Sequence, residues 1–239
     1  LQDYDRVLKQ RNALLKSARA RGVKGDGLST LDVWDDKLVT LGAQVIEARL
    51  RLADDLATPV ADAYTAIAGA DHRPRLQWAL SVEGGDPEED ETGSESAVSA
   101  TPIADQFRNA LAARRTAELE RGVTLVGPHR DDLVLKVRGL PVKGYASHGE
   151  SWSVALSLRL ASAELLRADS LLGDPVLILD DVFAELDADR RVRLAEVARG
   201  YEQVVVTAAV DQDVPPPLRT QVVRVDAGRI LPEEEPHDG

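Results

Sequence analysis

Pro175-Val176-Leu177-Ile178-Leu179-Asp180-Asp181 is the stretch on which the fold turns. Four aliphatics that end in two adjacent carboxylates read as a strand whose carboxyl end is put to use. In an open α/β sheet, ligands sit beyond the carboxyl ends of the strands. Two acids side by side are costly there unless something engages them. A hard cation does so well, since Mg²⁺ prefers carboxylate and water oxygens. In phosphoryl transfer the first acid helps hold Mg²⁺, and the second orients or deprotonates the attacking water. The plainer alternative is a strand that simply ends in polar loop residues, and the seven residues alone do not separate the two.

Working outward, Ala184-Glu185-Leu186-Asp187 precedes a helix expected from about Ala188, and Asp187 is a natural N-cap for it. Upstream, Tyr145-Ala146-Ser147-His148-Gly149-Glu150 opens a helix expected over 150–172. Between Ser151 and Ala168 its only charges are Arg159, Glu164 and Arg167, which predicts a largely buried helix with a firmly aimed N-terminus. A serine hydroxyl, a glycine that admits close backbone approach, and free helix N–H groups together suit an anion such as a terminal phosphate. Ser147 and Glu150 also have the spacing of a capping box, which needs no ligand.

From Gly122 onward, short apolar runs at 123–126, 133–137, 176–179, 204–207 and 222–225 predict strands. Most are rich in Val and Ile, and several are continuous rather than alternating, which suits burial on both faces. With helices at 150–172 and 188–199 between them, the pattern is an α/β sheet with a parallel centre.

The N-terminal third is helical. Tyr4, Leu8, Arg11, Leu15 and Ala18 recur at three- and four-residue spacing, widened by Val7 and Leu14, and predict a helix over 3–21. Residues 22–27 read as a turn. A second helix starts at Ser29 or Thr30, with a heptad seam of Leu31, Trp34, Leu38, Leu41, Val45, Ala48 and Leu52. Thr58-Pro59 then suits the start of a further helix to about Ala68. The pair predicts an antiparallel, coiled-coil-like arm, with an ordinary helical bundle as the alternative. Alternation of Leu76, Trp78 and Leu80 predicts a strand over 74–82, and Thr101-Pro102 opens a helix to about Glu120.

Composition bounds the rest. The 239 residues, 44% hydrophobic, suffice for one sizeable core or two small domains. The absence of cysteine excludes disulfide scaffolds, thiolate zinc sites and cysteine nucleophiles, and suits a reducing, cytoplasmic setting. No apolar run approaches the roughly 20 residues a membrane helix needs. There is no methionine, and the chain begins in the middle of a helical pattern, so a fragment is expected. Of the net charge of −12, seven acids lie in 83–101 and four in 233–239, both expected to be disordered; without them the body stands near −1.

The order of these segments carries a resemblance. Ser-x-Gly-Glu opens a helix, an aliphatic strand ends in Asp180-Asp181, Glu185-Leu186-Asp187 opens another helix, and a further strand follows. That order resembles the C-terminal half of an ATP-binding-cassette ATPase head of the chromosome-maintenance type, with its signature loop, Walker B strand, D-loop and switch strand. Together with Gly127-Pro128-His129-Arg130-Asp131-Asp132-Leu133, and with Leu8 to Leu15 as the start of an arm, nearly the whole chain resembles the RecF family.

The resemblance implies a helical arm at 1–70, a linking strand and helix at 71–121 that carries the acidic insertion, a head portion at 122–231, and a tail at 232–239. It implies two heads closing around two ATP molecules. Ser147, His148, Gly149 and Glu150 would form the signature loop, with Ser147 and Gly149 on the γ-phosphate held by the partner. Asp180 would support Mg²⁺, Asp181 would position the hydrolytic water, and Asp187 would sit at the dimer seam. His129 and Arg130 could meet phosphate, DNA or the opposite subunit, or Arg130 could pair locally with Asp131 or Asp132. For the full protein it implies a weak, DNA-stimulated ATPase that binds DNA at single-strand/double-strand junctions. It also implies work with RecR and RecO to load the recombinase on gapped DNA.

Three features depart from the wider pattern. His148 stands where the family often has Gln, Asp181 where most cassette ATPases have Glu, and Thr207-Ala208 where transporters have a switch histidine. All three suit slow turnover. No Gly-x-x-x-x-Gly-Lys-Ser/Thr phosphate loop occurs in these residues. In the family it lies N-terminal to the arm, so this chain alone is expected neither to bind ATP at micromolar concentration nor to hydrolyse it. The alternatives are a head of another chromosome-maintenance ATPase, whose coiled coils are far longer, and a non-enzymatic coiled-coil adaptor. The reading as a whole expects Ser147 and the two aspartates on one edge of one sheet.

Overall fold

The computed structural model describes residues 1–22, 29–84 and 101–231. Of the stretches expected to be disordered, 83–101 and 233–239, residues 85–100 and 233–239 lie outside the described residues, as does most of the turn after Gly22, whereas Glu83 closes a short 3-10 turn over Ser81–Glu83. The chain forms two compact units, 1–61 with 72–151, and 62–71 with the residues from 152 onward.

The first unit contains α1 (Gln2–Arg21), most of α2 (Ser29–Ala68), β1 (Arg75–Ala79), α3 (Ile103–Arg121), β2 (Asp132–Val137), β3 (Leu140–Pro141) and a short turn α4 (Val142–Tyr145). Its three strands form an antiparallel sheet in the order β1-β2-β3, with Trp78 opposite Leu133 and Lys136 opposite Pro141. Tyr4 and Val7 of α1, Leu38, Val39 and Ile46 of α2, Phe107 and Leu111 of α3, and Leu80, Val82 and Val126 share one core. Phe107 is fully buried, and truncating such a ring costs about 3–5 kcal/mol. The first two helices thus pack with α3 and the strand region rather than only on each other.

That packing explains why the heptad seam fades. Leu31 and Leu38 are buried, but Ala48 and Leu52 are exposed, and Val39, Ala43 and Ile46 are buried instead. An α-helix of 3.6 residues per turn drifts off a strict seven-residue repeat unless a partner helix supercoils with it. Residues Leu56, Val60, Tyr64 and Ile67 then carry the buried face onward. The expected break at Pro59 does not occur, and α2 runs through it. Proline removes one N–H and crowds the carbonyl four residues back. Here that carbonyl belongs to the exposed Asp55, where it can tilt toward water while Leu56 and Val60 stay anchored.

Residues 123–126 are irregular rather than a strand. Two of their amides are claimed by side chains: Asn12 Oδ1 accepts from Thr124 N at 2.8 Å and Glu118 Oε1 from Leu125 N at 2.7 Å. With Val123 N also donating to the Glu118 carbonyl, three successive donors are spent and cannot join a ladder.

The second unit contains the end of α2, most of α5 (His148–Asp169), β4 (Leu177–Asp180), α6 (Ala188–Ala198), β5 (Val204–Thr207), β6 (Val225–Asp226) and β7 (Arg229–Ile230). Strands β4 and β5 are parallel, as expected, in a register that sets Leu179 beside Val206 and Asp180 beside Thr207. Ile67, Leu156, Leu160, Leu179, Phe183, Leu194 and Tyr201 form its core. Burial on both strand faces is not found among the described residues: Ile178 is 65% exposed and Val205 41%. Likewise α5 is buried over one face from Ser153 to Ala161 and largely exposed beyond Glu164. The run at 222–225 contributes only Val225 to a two-residue hairpin turned by Ala227 and Gly228, both at positive φ.

Candidate functional site

Asp180 closes β4, and Asp181 follows it in the left-handed region at φ 53°, ψ 21°. Few residues with a Cβ sit there without a reason, and such strain concentrates at functional positions. The reason is Thr207, at the matching end of β5. The Asp181 amide donates to the Thr207 carbonyl and to the Thr207 hydroxyl, each at 3.1 Å. The same hydroxyl donates to Asp180 Oδ1. Both carboxylates are exposed.

Among the described residues no group of three or more His, Cys, Asp or Glu side chains is placed to hold a metal. The acid pair nevertheless fits an octahedral cation that keeps most of its water. Mg²⁺ is commonly held through one or two carboxylates plus substrate phosphates. Among the described residues no hydrogen bond reaches Oδ2 of the exposed Asp180, which leaves one hard oxygen for this purpose.

Further along, Asp187 caps α6, its Oδ1 accepting from Arg190 N at 2.9 Å. That amide, with the Arg190 and Arg193 guanidinium groups, holds its carboxyl below the usual range. The sequence-based capping role is therefore observed, and the side chain remains half in solvent.

The signature-like residues lie in the first unit, at the start of α5. Ser147 and Glu150 form the full capping box. Glu150 Oε2 accepts from Ser147 N at 3.0 Å and from Ser147 Oγ at 2.9 Å, and Ser147 Oγ accepts from Glu150 N at 3.3 Å. Arg138 adds an ion pair to Glu150 Oε1 at 3.0 Å. The Ser147 bonds, then Arg138, keep the Glu150 carboxyl ionised below its ordinary pKa. Ser147 and His148 are exposed and Gly149 is half-buried. Ser147 belongs to the first unit and Asp180 to the second.

The 127–133 loop is held from within the first unit. The Thr124 carbonyl can only accept, so the 3.2 Å contact assigns the His129 proton to Nε2, and Nδ1 accepts from Tyr4 Oη at 2.7 Å. Desolvation first, and the charges of Arg130 and Arg11, lower the His129 pKa and favour this neutral ring. Asp131 Oδ1 accepts from Ser81 N at 2.9 Å and Ser81 Oγ at 2.8 Å, and Oδ2 is buried without a partner. Burial accordingly pushes the Asp131 carboxyl upward, with Ser81 opposing. Arg49 donates to the Pro128 carbonyl at 2.6 Å. Gly127 sits at φ 126°, where an added Cβ would lie 2.6 Å from Phe107 Cζ and from Tyr4 Oη, so only glycine fits. Local pairing of Arg130 is not found: no ion pair joins it to Asp131 or Asp132 among the described residues.

Sequence reasoning passed over a buried polar cluster. Arg11 and Glu118 are both at 0% exposure. Arg11 donates to Glu118 Oε2 at 2.6 Å, to Asp35 Oδ1 at 2.6 Å and to Thr124 Oγ1 at 2.8 Å. Arg115 bridges Asp35 and Asp32. The available signal was an arginine at a stripe position of α1. From the sequence Thr207 reads only as a departure from a switch histidine; the β4–β5 register is what sets it beside Asp180.

This geometry, a parallel strand pair with twin acids at its carboxyl edge, a capped helix after a Glu-Leu-Asp turn and a Ser-x-Gly-Glu helix start, defines the C-terminal part of a cassette-ATPase head joined to a helical region. No family model matches the chain. Curated relatives do. The chain is 57% identical, over 99% of its length, to the DNA replication and repair protein RecF of Clavibacter sepedonicus. It is 57% identical over 96% to that of Leifsonia xyli subsp. xyli, and 54% over 97% to that of Frankia alni. It spans about 60% of the length of these relatives. A solved structure of the recombination mediator protein RecF-ATP in the RecFOR pathway superposes with a TM-score of 0.67 at 27% identity, covering 88% of this chain and 52% of that one. A second, of RecF-ATPrS, gives 0.67 at 28% identity, covering 90% and 53%. Over the matched span the chain belongs to the RecF family.

Proposed function

We propose that this chain is the C-terminal portion of a RecF-type DNA-repair ATPase that binds DNA in an ATP-dependent manner at single-strand/double-strand junctions and helps load the recombinase with RecR and RecO. The observation that carries the reading is the β4–β5 register, which sets Asp180 and Asp181 at a strand edge beside Thr207 in a chain with RecF relatives. ATP bound with Mg²⁺ supplies the phosphoryl group to be transferred to water. Asp180 would hold the cation through the oxygen that Thr207 does not engage, and Asp181 would orient the attacking water and accept its proton.

Ser147 and Gly149 serve a second copy. To reach a phosphate there, the Ser147 hydroxyl leaves Glu150 Oε2, while Glu150 keeps its pair with Arg138. Asp187 lies at the seam between the two heads. The phosphate loop belongs to the part of the family length that this chain does not span, so the chain alone binds ATP weakly. No described helix is long and apolar enough to cross a membrane, and the reading places the protein in the cytoplasm. Asp181 in place of Glu, and Thr207 in place of a switch histidine, suit slow turnover.

The test is ATP-dependent dimerisation and DNA binding of the full-length protein, comparing wild type with Ser147→Arg. The expected result is that Ser147→Arg binds ATP normally yet stays monomeric and loses DNA binding at gaps. A variant that dimerises as wild type does would remove the role in trans.

A further inference from the structure

We propose that Thr207 is the positioning residue of the acid pair, a part that rests on reading Asp180 and Asp181 as the acids of the nucleotide site. One hydroxyl links both. Thr207 Oγ has a single proton. The Asp181 amide can only donate to it, at 3.1 Å, so that proton goes to Asp180 Oδ1. The arrangement requires Asp180 to accept, and an ionised carboxylate accepts best. It also distinguishes the two oxygens: Oδ1 already accepts from Thr207, and Oδ2, with no hydrogen bond among the described residues, is the freer of the two for a cation.

The second consequence concerns Asp181. Its left-handed backbone is held by two acceptors on one residue, the carbonyl and the hydroxyl of Thr207. The parallel register of β4 and β5 brings this about, since Asp180 and Thr207 are direct neighbours in the ladder. The end of β5 therefore fixes the orientation of one acid and the backbone turn of the next. Thr207 touches neither nucleotide nor cation in this scheme, and acts only through the aspartates. A valine of the same outline keeps the strand and the carbonyl bond, and removes both hydroxyl bonds.

The experiment uses the full-length protein as wild type, Thr207→Val, Thr207→Ala and Thr207→Ser. ATP affinity is measured by titration with Mg²⁺ and with EDTA, alongside steady-state hydrolysis. Thr207→Val and Thr207→Ala are expected to match wild type in EDTA. They lose about tenfold of the gain in affinity that Mg²⁺ confers, with about tenfold slower turnover, the effect of removing a hydrogen bond to a charged group. Thr207→Ser, which restores the hydroxyl, stays within about twofold of wild type. The affinity readout does not depend on turnover, and the serine rescue separates the hydroxyl from mere packing. If wild type gains affinity with Mg²⁺ and Thr207→Val gains as much, this inference fails while the nucleotide site stands. If Thr207→Ser is as impaired as Thr207→Val, the methyl group matters and the inference also fails. If wild type itself shows no Mg²⁺-dependent affinity for ATP, both readings fall.

Discussion

In the 127–133 loop, His129, Asp131 and the Pro128 carbonyl are held by partners in their own unit, although His129 is itself exposed; at the end of β4, two carboxylates stand in solvent with one threonine hydroxyl shared between their residues. Tyr4 and Thr124 grip His129, Ser81 grips Asp131, and Arg49 grips the Pro128 carbonyl. Left over there are the Arg130 guanidinium and the buried, unpartnered Asp131 Oδ2. Asp180 and Asp181 have capacity in excess and a strained backbone that neighbours must hold. A polar group satisfied inside the fold stabilises it, whereas one left unsatisfied at a strand edge is placed for something that arrives. The two regions should accordingly answer mutation in opposite ways, one through stability and the other through chemistry.

The largest effect belongs to the buried cluster under that loop. Glu118→Ala leaves the Arg11 guanidinium sealed from water with only Asp35 and Thr124, and frees the amide of Leu125. Breaking a buried pair from one side costs about 3–5 kcal/mol. Denaturant unfolding should show a loss of this order, and a change below about 0.5 kcal/mol would show that the cluster is not what holds the loop. The double variant Arg11→Leu with Glu118→Leu should lose less than the sum of the single changes, because no charge is then stranded.

What could be read from the sequence follows from range. Helix stripes, the parallel strands and the caps depend on residues three or four apart or on one aliphatic run, and they emerged: Asp187 as an N-cap, the Ser147–Glu150 box and β4 beside β5. What did not emerge depends on partners more than a hundred positions away. Residues 123–126 have strand-like composition, but Asn12, over a hundred residues earlier, takes one of their amides. Arg11 reads as an interruption in an apolar stripe until Glu118 and Thr124 are seen beside it. Pro59 reads as a helix start because the sequence does not show that its flanks are anchored by Leu56 and Val60. The Thr207 bond lies between these cases, legible only once the register of β4 and β5 is known.

A smaller effect should come from His129, and its sign is fixed by linkage. The folded protein holds the ring neutral with a lowered pKa, while the unfolded chain titrates near 6.5. As pH falls through about 6.5, the unfolded state takes up more protons, so stability present above that pH is lost below it. Asp131 and Glu118, whose pKa values are raised by burial, act in the opposite sense at lower pH. Comparison with His129→Asn therefore isolates the ring. Between about pH 7.5 and pH 5.5 the wild-type denaturation midpoint should fall more than that of the variant. Equal falls would mean that the ring is not held neutral by Tyr4 and Thr124.

The smallest effect on stability, and the sharpest contrast, is expected at Asp180. In Asp180→Asn the amide oxygen still accepts from the Thr207 hydroxyl, so the turn at Asp181 and the β4–β5 register have no reason to change. The residue is exposed, and removing its charge should move stability by less than about 0.5 kcal/mol. In the full-length protein the same change removes the anionic oxygen offered to the cation. Mg²⁺-dependent ATP hydrolysis should then fall on the order of a hundredfold, since metal stabilisation of a phosphoryl-transfer transition state is worth several kcal/mol. The pairing of an intact melting curve with lost turnover is what distinguishes an edge built for a ligand from one that merely ends a strand. If Asp180→Asn keeps wild-type turnover, or if it unfolds as readily as Glu118→Ala, the contrast between the two regions is gone, and the acids would be only a polar end to β4.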